Sequence, residues 1–252
     1  LTQSNPSAHG SSTRGVFAGG QVFPALTNKI DFVTFSSTGD ASDFGDLTVA
    51  RRNLIGNGNQ TRGVFAGGHT PTVQDVIDFI TMSSTANAVD FGNLTAARKQ
   101  LGGTASSPTR GLFMAGETPS QTNVIDFITI PTTGNAIDFG DLSVAMIIPS
   151  GVSSSTRAVI MGGGNPSAFN TIEFVTITTT GNARDFGDLT EARRNAQSAS
   201  DCVRGLTMGG GNGNTNVIDY IKIATQGDAV DYGDLATAQG EGAGCSNAHG
   251  GL

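Results

Sequence analysis

The stretch Thr13-Arg14-Gly15-Val16-Phe17-Ala18-Gly19-Gly20 decides how this chain folds, because it does not occur only once. It returns unchanged as Thr61 to Gly68, as Thr109-Arg110-Gly111-Leu112-Phe113-Met114-Ala115-Gly116, and more loosely from Thr156 and from Val203. Its arginines, Arg14, Arg62, Arg110, Arg157 and Arg204, stand 48, 48, 47 and 47 residues apart. A second marker, Asp-Phe-Gly-Asp-Leu at Asp43 to Leu47, recurs from Asp90 (with Asn93), Asp138, Asp185 and Asp231 (with Tyr232) at spacings of 47, 48, 47 and 46. Two markers in phase over five units establish an internal repeat, and such a period belongs to arrays built from one supersecondary unit.

Inside each unit the apolar runs are short and bounded by turn formers. Val16-Phe17-Ala18 ends at a Gly pair, and Ile30 to Phe35 follows as a run of β-branched and aromatic residues, the composition of a strand. Its counterparts are Val76 to Met82, Val124 to Ile130, Ile172 to Ile177 and Val217 to Ile223. Clusters such as Thr132-Thr133-Gly134-Asn135 then supply turns, because Gly and Asn tolerate positive φ. A third strand carries Asp-Phe-Gly-Asp-Leu, and the Gly- and Ser-rich stretch before the next Thr-Arg supplies a fourth. Four strands in about 47 residues match one propeller blade. The expected fold is therefore all-β, a five-bladed β-propeller of four-stranded antiparallel blades, with units at about 13–60, 61–108, 109–155, 156–202 and 203–248. A parallel β-helix is the rival. The helix-like pieces Thr48 to Asn53, Thr95 to Leu101 and Thr190 to Ala196 are too short to support themselves. The terminal segments 1–12 and 242–252 both look like an innermost strand and compete to complete the ring. Closure of five blades is the expected solution, since it removes exposed strand edges.

Composition narrows the function. The 252 residues include 36 Gly and 8 Pro, 37% are hydrophobic and only 14% charged, so the chain is neutral-polar without the high charge density of disordered segments. A net charge of −7 with no basic cluster beyond Arg51-Arg52 and Arg193-Arg194 argues against nucleic acid as a partner. No run approaches the roughly 20 apolar residues of a membrane-crossing helix, and Leu1 to Gly10 lack a signal-peptide pattern, so neither membrane insertion nor a leader is expected. Cys202 and Cys245 make no disulfide framework and no four-ligand zinc site.

The unit resembles the kelch repeat of β-propellers. The resemblance rests on the Gly pairs Gly19-Gly20, Gly67-Gly68, Gly162-Gly163 and Gly209-Gly210, and on an aromatic in the third strand (Phe32, Phe79, Phe127, Phe174, Tyr220). Another lies in the fourth strand of the motif (Phe44, Phe91, Phe139, Phe186, Tyr232) where kelch repeats usually carry Trp. The arginine that follows in the family is matched by Arg51, Arg98 and Arg193, while Met146 and Gln239 replace it in two units. The near-identical wording of the units is also similar to the degenerate kelch-like repeats of bacteriophage tail-fibre and virion proteins. That likeness implies a virion or extracellular surface setting.

Repetition sorts the candidate residues. Arg14, Arg62, Arg110, Arg157 and Arg204 recur once per blade and are expected to be framework, paired with Asp43, Asp90, Asp138, Asp185 and Asp231. The Asp-x-x-Asp spacing invites a cation site, but turn capping is favoured over metal, so no metal or cofactor is expected. Asp31, Asp78, Asp126, Glu173 and Asp219, set between apolar neighbours, need donors from backbone amides or an adjacent blade if buried. His9, His69 and His249 lie in unrelated contexts, no nucleophile elbow or zinc-protease helix is present, and the Gly-rich runs precede no helix. The chain is thus expected not to be an enzyme. The loops after each Gly pair do vary, and Gln21, Phe23, His69, Thr70, Glu117, Thr118, Asn165, Phe169, Asn212 and Asn214 are the candidate binding residues. Their expected partners are proteins of a larger assembly or surface glycans, with further copies of the chain among the former. A five-site lectin is the alternative, and a degenerate hydrolase or oxidase a more remote one.

Overall fold

The computed structural model describes Ser4, residues 6–211 and residues 213–240. Asn212, Cys245, His249 and the segment 242–252, all singled out above, lie outside the described residues.

Five small antiparallel sheets of four main strands follow one another along the chain as a five-bladed β-propeller, and no helix occurs among the described residues. Blade one comprises Ser7–Gly10, Arg14–Ala18, Lys29–Thr34 and Ser42–Asp46. Blade two comprises Ile55–Gly58, Arg62–Ala66, Val76–Thr81 and Val89–Asn93. Blade three has Gly102–Ser106, Arg110–Met114, Ser120–Thr129 and Ile137–Met146, and blade four Ser150–Ser153, Arg157–Met161, Thr171–Thr176 and Arg184–Asp188. Blade five has Gln197–Ser200, Arg204–Met208, Thr215–Lys222 and Val230–Gln239. In every blade the strands pair in chain order, inner, second, third and outer.

The sequence repeat and the blade are offset by one strand. The Gly- and Ser-rich stretch that ends each repeat unit is the inner strand of the following blade, so the N-terminal Ser7–Gly10 completes blade one. Inner strands of successive blades lie against one another, which explains their small residues: at Gly56 a Cβ would lie 2.5 Å from the Ala8 carbonyl oxygen. Only glycine leaves that room.

The second invariant glycine, in Asp-Phe-Gly-Asp-Leu, answers to two constraints at once. The register of third and outer strands shifts there, a β-bulge, and Gly92 has φ of 145°. A Cβ on Gly92 would also lie 2.5 Å from the Gly134 carbonyl oxygen of the next blade. The bulges of the first four blades, at Gly45, Gly92, Gly140 and Gly187, thus each bring a neighbouring sheet into close contact.

The hydrophobic core is divided among the joints between blades, one cluster for each of the four consecutive pairs. Blade one contributes Val16, Ala18, Ile30, Phe44 and Leu47 to a cluster with Phe65, Ile80, Met82 and Ala88 of blade two. Three further clusters join blades two and three, three and four, and four and five. The aromatic pair within each blade meets edge-on, from Phe32 and Phe44 at 5.7 Å to Tyr220 and Tyr232 at 6.0 Å. A closed ring would add a fifth joint, blade five against blade one. Among the described residues no core cluster and no hydrogen bond spans that pair.

Candidate functional site

Two ends of the propeller differ in what they hold in place. At one end lie the turns from inner to second strand and from third to outer strand, and here the five repeated arginines begin the second strands. Arg14, Arg62, Arg110 and Arg157 each donate from Nη1 to a carbonyl of the next blade, at Met82, Ile130, Ile177 and Ile223, over 2.8 to 2.9 Å. Each guanidinium also lies over the third-strand ring of its own blade, 4.4 to 4.8 Å from its centroid. These are joint-making residues, but the expected pairing with Asp43, Asp90, Asp138, Asp185 and Asp231 does not form among the described residues. The reason is geometric: second and outer strands are separated by the third, roughly 10 Å apart at strand spacing, and the aromatic ring occupies the way across. The Asp43 and Asp231 carboxylates instead accept the amides of Gly45 and Gly233 two residues on, the turn-capping role that competed with a cation site.

Four of the five third-strand carboxylates, Asp78, Asp126, Glu173 and Asp219, find their donors in the preceding blade. The Asp78 carboxylate accepts the Thr48 amide, the Thr48 hydroxyl at 2.6 Å and Arg51 Nη1 at 2.8 Å. Asp126 receives Thr95 and Arg98 in the same way, and Asp219 receives Thr190 and Arg193. Arg51, Arg98 and Arg193 are buried outright, not set on the loop-bearing surface as their position after the outer strand suggests. Burial draws Arg51 and Arg98 below the ordinary guanidinium value, with Asp78 and Asp126 acting against it. Each guanidinium also donates to backbone carbonyls, Arg51 to Phe65 and Arg98 to Ala115 and Val124. At the third joint Met146 stands where the arginine would, and Glu173 reaches the Ser143 amide by its extra methylene. The outer strands of blades three and five, which lack the arginine, run on to Met146 and Gln239.

The opposite end carries the variable loops. The residue after each Gly pair is bridged by backbone hydrogen bonds to a residue of the preceding chain segment: Gln21 to Ser4, His69 to Arg52, Glu117 to Lys99 and Gly164 to Ile147. The bridges fix the backbone and leave the side chains different. Arg52 Nη1 donates to the Gln21 amide oxygen at 2.5 Å, and Lys99 Nζ pairs with Glu117 at 2.8 Å. Burial, and then the cations of Lys99 and Arg52, hold the His69 imidazole below its usual value, with Glu117 acting against them.

The remaining candidates divide by their surroundings. Phe23 tops the hairpin of Gln21–Val22 and Ala25–Leu26 and is 87% exposed. Thr70 is tied within its own loop, its hydroxyl donating to the Thr72 carbonyl and accepting from Gln74. Thr118 pairs with Ser120 across a tight turn, and Asn165 donates to the Ala145 carbonyl. Phe169 turns inward and packs on the cluster between blades three and four, so it anchors its loop. Asn214 is exposed in a left-handed turn at φ of 58°. Cys202 is half-buried in the turn before the second strand of blade five. Arg52, Lys99 and Arg194, at the same position of the first, second and fourth connections, belong to this rim although the loops alone do not reveal them; the signal was their recurrence after Arg51, Arg98 and Arg193.

No protein-family model matches this chain, and no curated protein matches it.

Proposed function

We propose that the chain is a non-catalytic binding module that presents its loop-bearing rim to a protein or glycan ligand, within a virion or extracellular surface assembly. The observation that supports this most directly is the split between backbone and side chain along the rim. Gln21, His69 and Glu117 hold equivalent, bridged backbone positions, yet differ in charge, shape and hydrogen-bonding chemistry. A pre-organised frame loses little entropy on binding, and scaffolds of this kind carry their specificity on loops. Phe23, with its ring almost wholly in solvent, is an aromatic anchor of the type that interfaces use.

The loops differ in every blade, which favours one composite surface over the five equivalent pockets of a repeat lectin. The surface or virion setting rests on the likeness of the units to phage fibre repeats. A glycan array followed by titration calorimetry, together with co-purification from the native assembly, tests the reading. Binding with fewer than five sites per chain is expected, lost in a Phe23→Ala, His69→Ala, Glu117→Ala triple variant that melts like the parent. Failure to bind glycan or assembly protein, or binding that survives the triple change, overturns it.

A further inference from the structure

Blade one and blade five each present one face that no blade covers, and the two faces are opposite halves of the same joint. The outward half of a joint consists of the arginine that opens the second strand, the outer-strand aromatic, the bulge glycine and the amide after it. In blade four these are Arg157, Phe186, Gly187 and Asp188; they meet the Ile223 carbonyl, the core of blade five, the Gly227 carbonyl and the Asp228 carboxylate. The other joints repeat the scheme, with Asn87, Asn135 and Asn182 in place of Asp228.

Blade five carries a complete outward half with none of the described residues of another blade against it. Arg204 finds no carbonyl of a following blade among the described residues and lies over its own Tyr220 ring at 5.8 Å. Tyr232 is 57% exposed where Phe44, Phe91, Phe139 and Phe186 are at most 3%. A Cβ on Gly233 would meet none of the described residues within 4 Å. Blade one carries the matching inward half: Phe35 is 47% exposed where Met82, Ile130, Ile177 and Ile223 are at most 2%. Asp31, the counterpart of Asp78, accepts no side-chain or amide hydrogen bond among the described residues, and Asp40 stands where Asp228 stands.

We infer that these faces meet between molecules: blade five of one copy docks on blade one of a second copy, in the register of the four internal joints. Arg204 then donates to the Phe35 carbonyl, the Asp234 amide to the Asp40 carboxylate, and Tyr232 and Leu235 cover Phe17 and Phe35. Blade five lacks the buried arginine, but so does the third joint, where Ser143 and Met146 face Glu173; the Ala236 amide and the Gln239 side chain supply donors for Asp31. A second copy fits better than closure within one molecule. Among the described residues the four joints leave the two free faces without a shared core cluster or hydrogen bond, so self-closure requires a joint to be remade, whereas a second molecule meets each face as it stands. The contact is heterologous, head to tail, and independent of what the loops bind.

The test is mass in solution with two complementary variants. Sedimentation equilibrium of the chain should give multiples of its 25.6 kDa. Phe35→Glu on blade one and Tyr232→Glu on blade five should each give the single-chain mass and melt like the parent diluted to that mass, because in the single chain both side chains are already exposed. Each variant keeps one working face, so an equimolar mixture should return to twice the single-chain mass. A parent chain of single mass at every concentration, variants that still associate, or a mixture that does not, each overturns the proposal. A melting temperature in either variant far below that of the parent diluted to single-chain mass would show closure within one molecule and overturn it as well.

Discussion

Arg51 and Asp78 meet across the joint between the first two blades at 2.8 Å, with neither side chain reached by solvent. The pair recurs as Arg98 with Asp126 and Arg193 with Asp219. A buried charge pair of this kind is held by its remaining hydrogen bonds as much as by its attraction, since removing either partner strands the other in a medium that solvates it poorly.

The single and double variants of the second joint should therefore differ. Asp126→Ala leaves the Arg98 charge buried and should cost about 3–5 kcal/mol in urea unfolding. Arg98→Met with Asp126→Leu should cost much less, as the methionine already present at position 146 suggests. Equal losses in both would remove the argument.

Position within the series should decide what a repeated arginine contributes. Arg110→Ala removes a charged hydrogen bond to Ile177 and a ring contact with Phe127 and should cost about 2–4 kcal/mol. In dilute solution Arg204→Ala, at an arginine that meets no such carbonyl among the described residues, should change stability by less than about 0.5 kcal/mol. Thermal melts of the two variants side by side would show the contrast or its absence.

The bulge glycines offer a second comparison. Gly92→Ala and Gly233→Ala share the cost of a positive φ, about 1–3 kcal/mol. Only the first also pushes a methyl group against a neighbouring carbonyl. Chemical denaturation should find Gly92→Ala the more damaging by at least about 1 kcal/mol; parity would mean that the neighbouring blade does not press there.

His69 should titrate below the ordinary 6.5 of imidazole, for reasons of burial first and of Lys99 and Arg52 second. A histidine with a depressed folded value supports the fold above the unfolded value and loses that support as the pH falls from 6.5 through the folded midpoint. Lys99→Ala should raise the midpoint read from the imidazole proton resonances. A midpoint that stays put would show that the Lys99 charge does not reach the ring.

Much of this architecture was legible in the chain, because repetition samples the same structural problem five times. Arg14 and its counterparts, the Gly pairs and Asp-Phe-Gly-Asp-Leu gave the blade count and the strand rhythm, and the carboxylate of Asp78 between apolar neighbours announced a need for donors from outside its strand. The donors themselves were hidden by distance: Arg51 and Asp78 lie 27 residues apart and in different blades. The coincidence of Met146 with Glu173, the one unit where both partners change together, was the available sign. The pairing of Arg14 with Asp43 failed for the opposite reason, since both stand at one end of a blade but the intervening strand and its ring keep them apart. The offset between repeat and blade was equally hard to read, because a period fixes the length of a unit and not the point at which a sheet begins.

One consequence follows from blade one taking its inner strand from the residues immediately before its own second strand. Among the described residues no strand passes from one extremity of the array to the other, and no hydrogen bond or core cluster joins the first blade to the last. Cohesion is then passed from neighbour to neighbour, as in a short stack. Amide hydrogens should exchange earliest in the two extremities and latest in the middle sheets, and lengthening the series should make its centre harder to open.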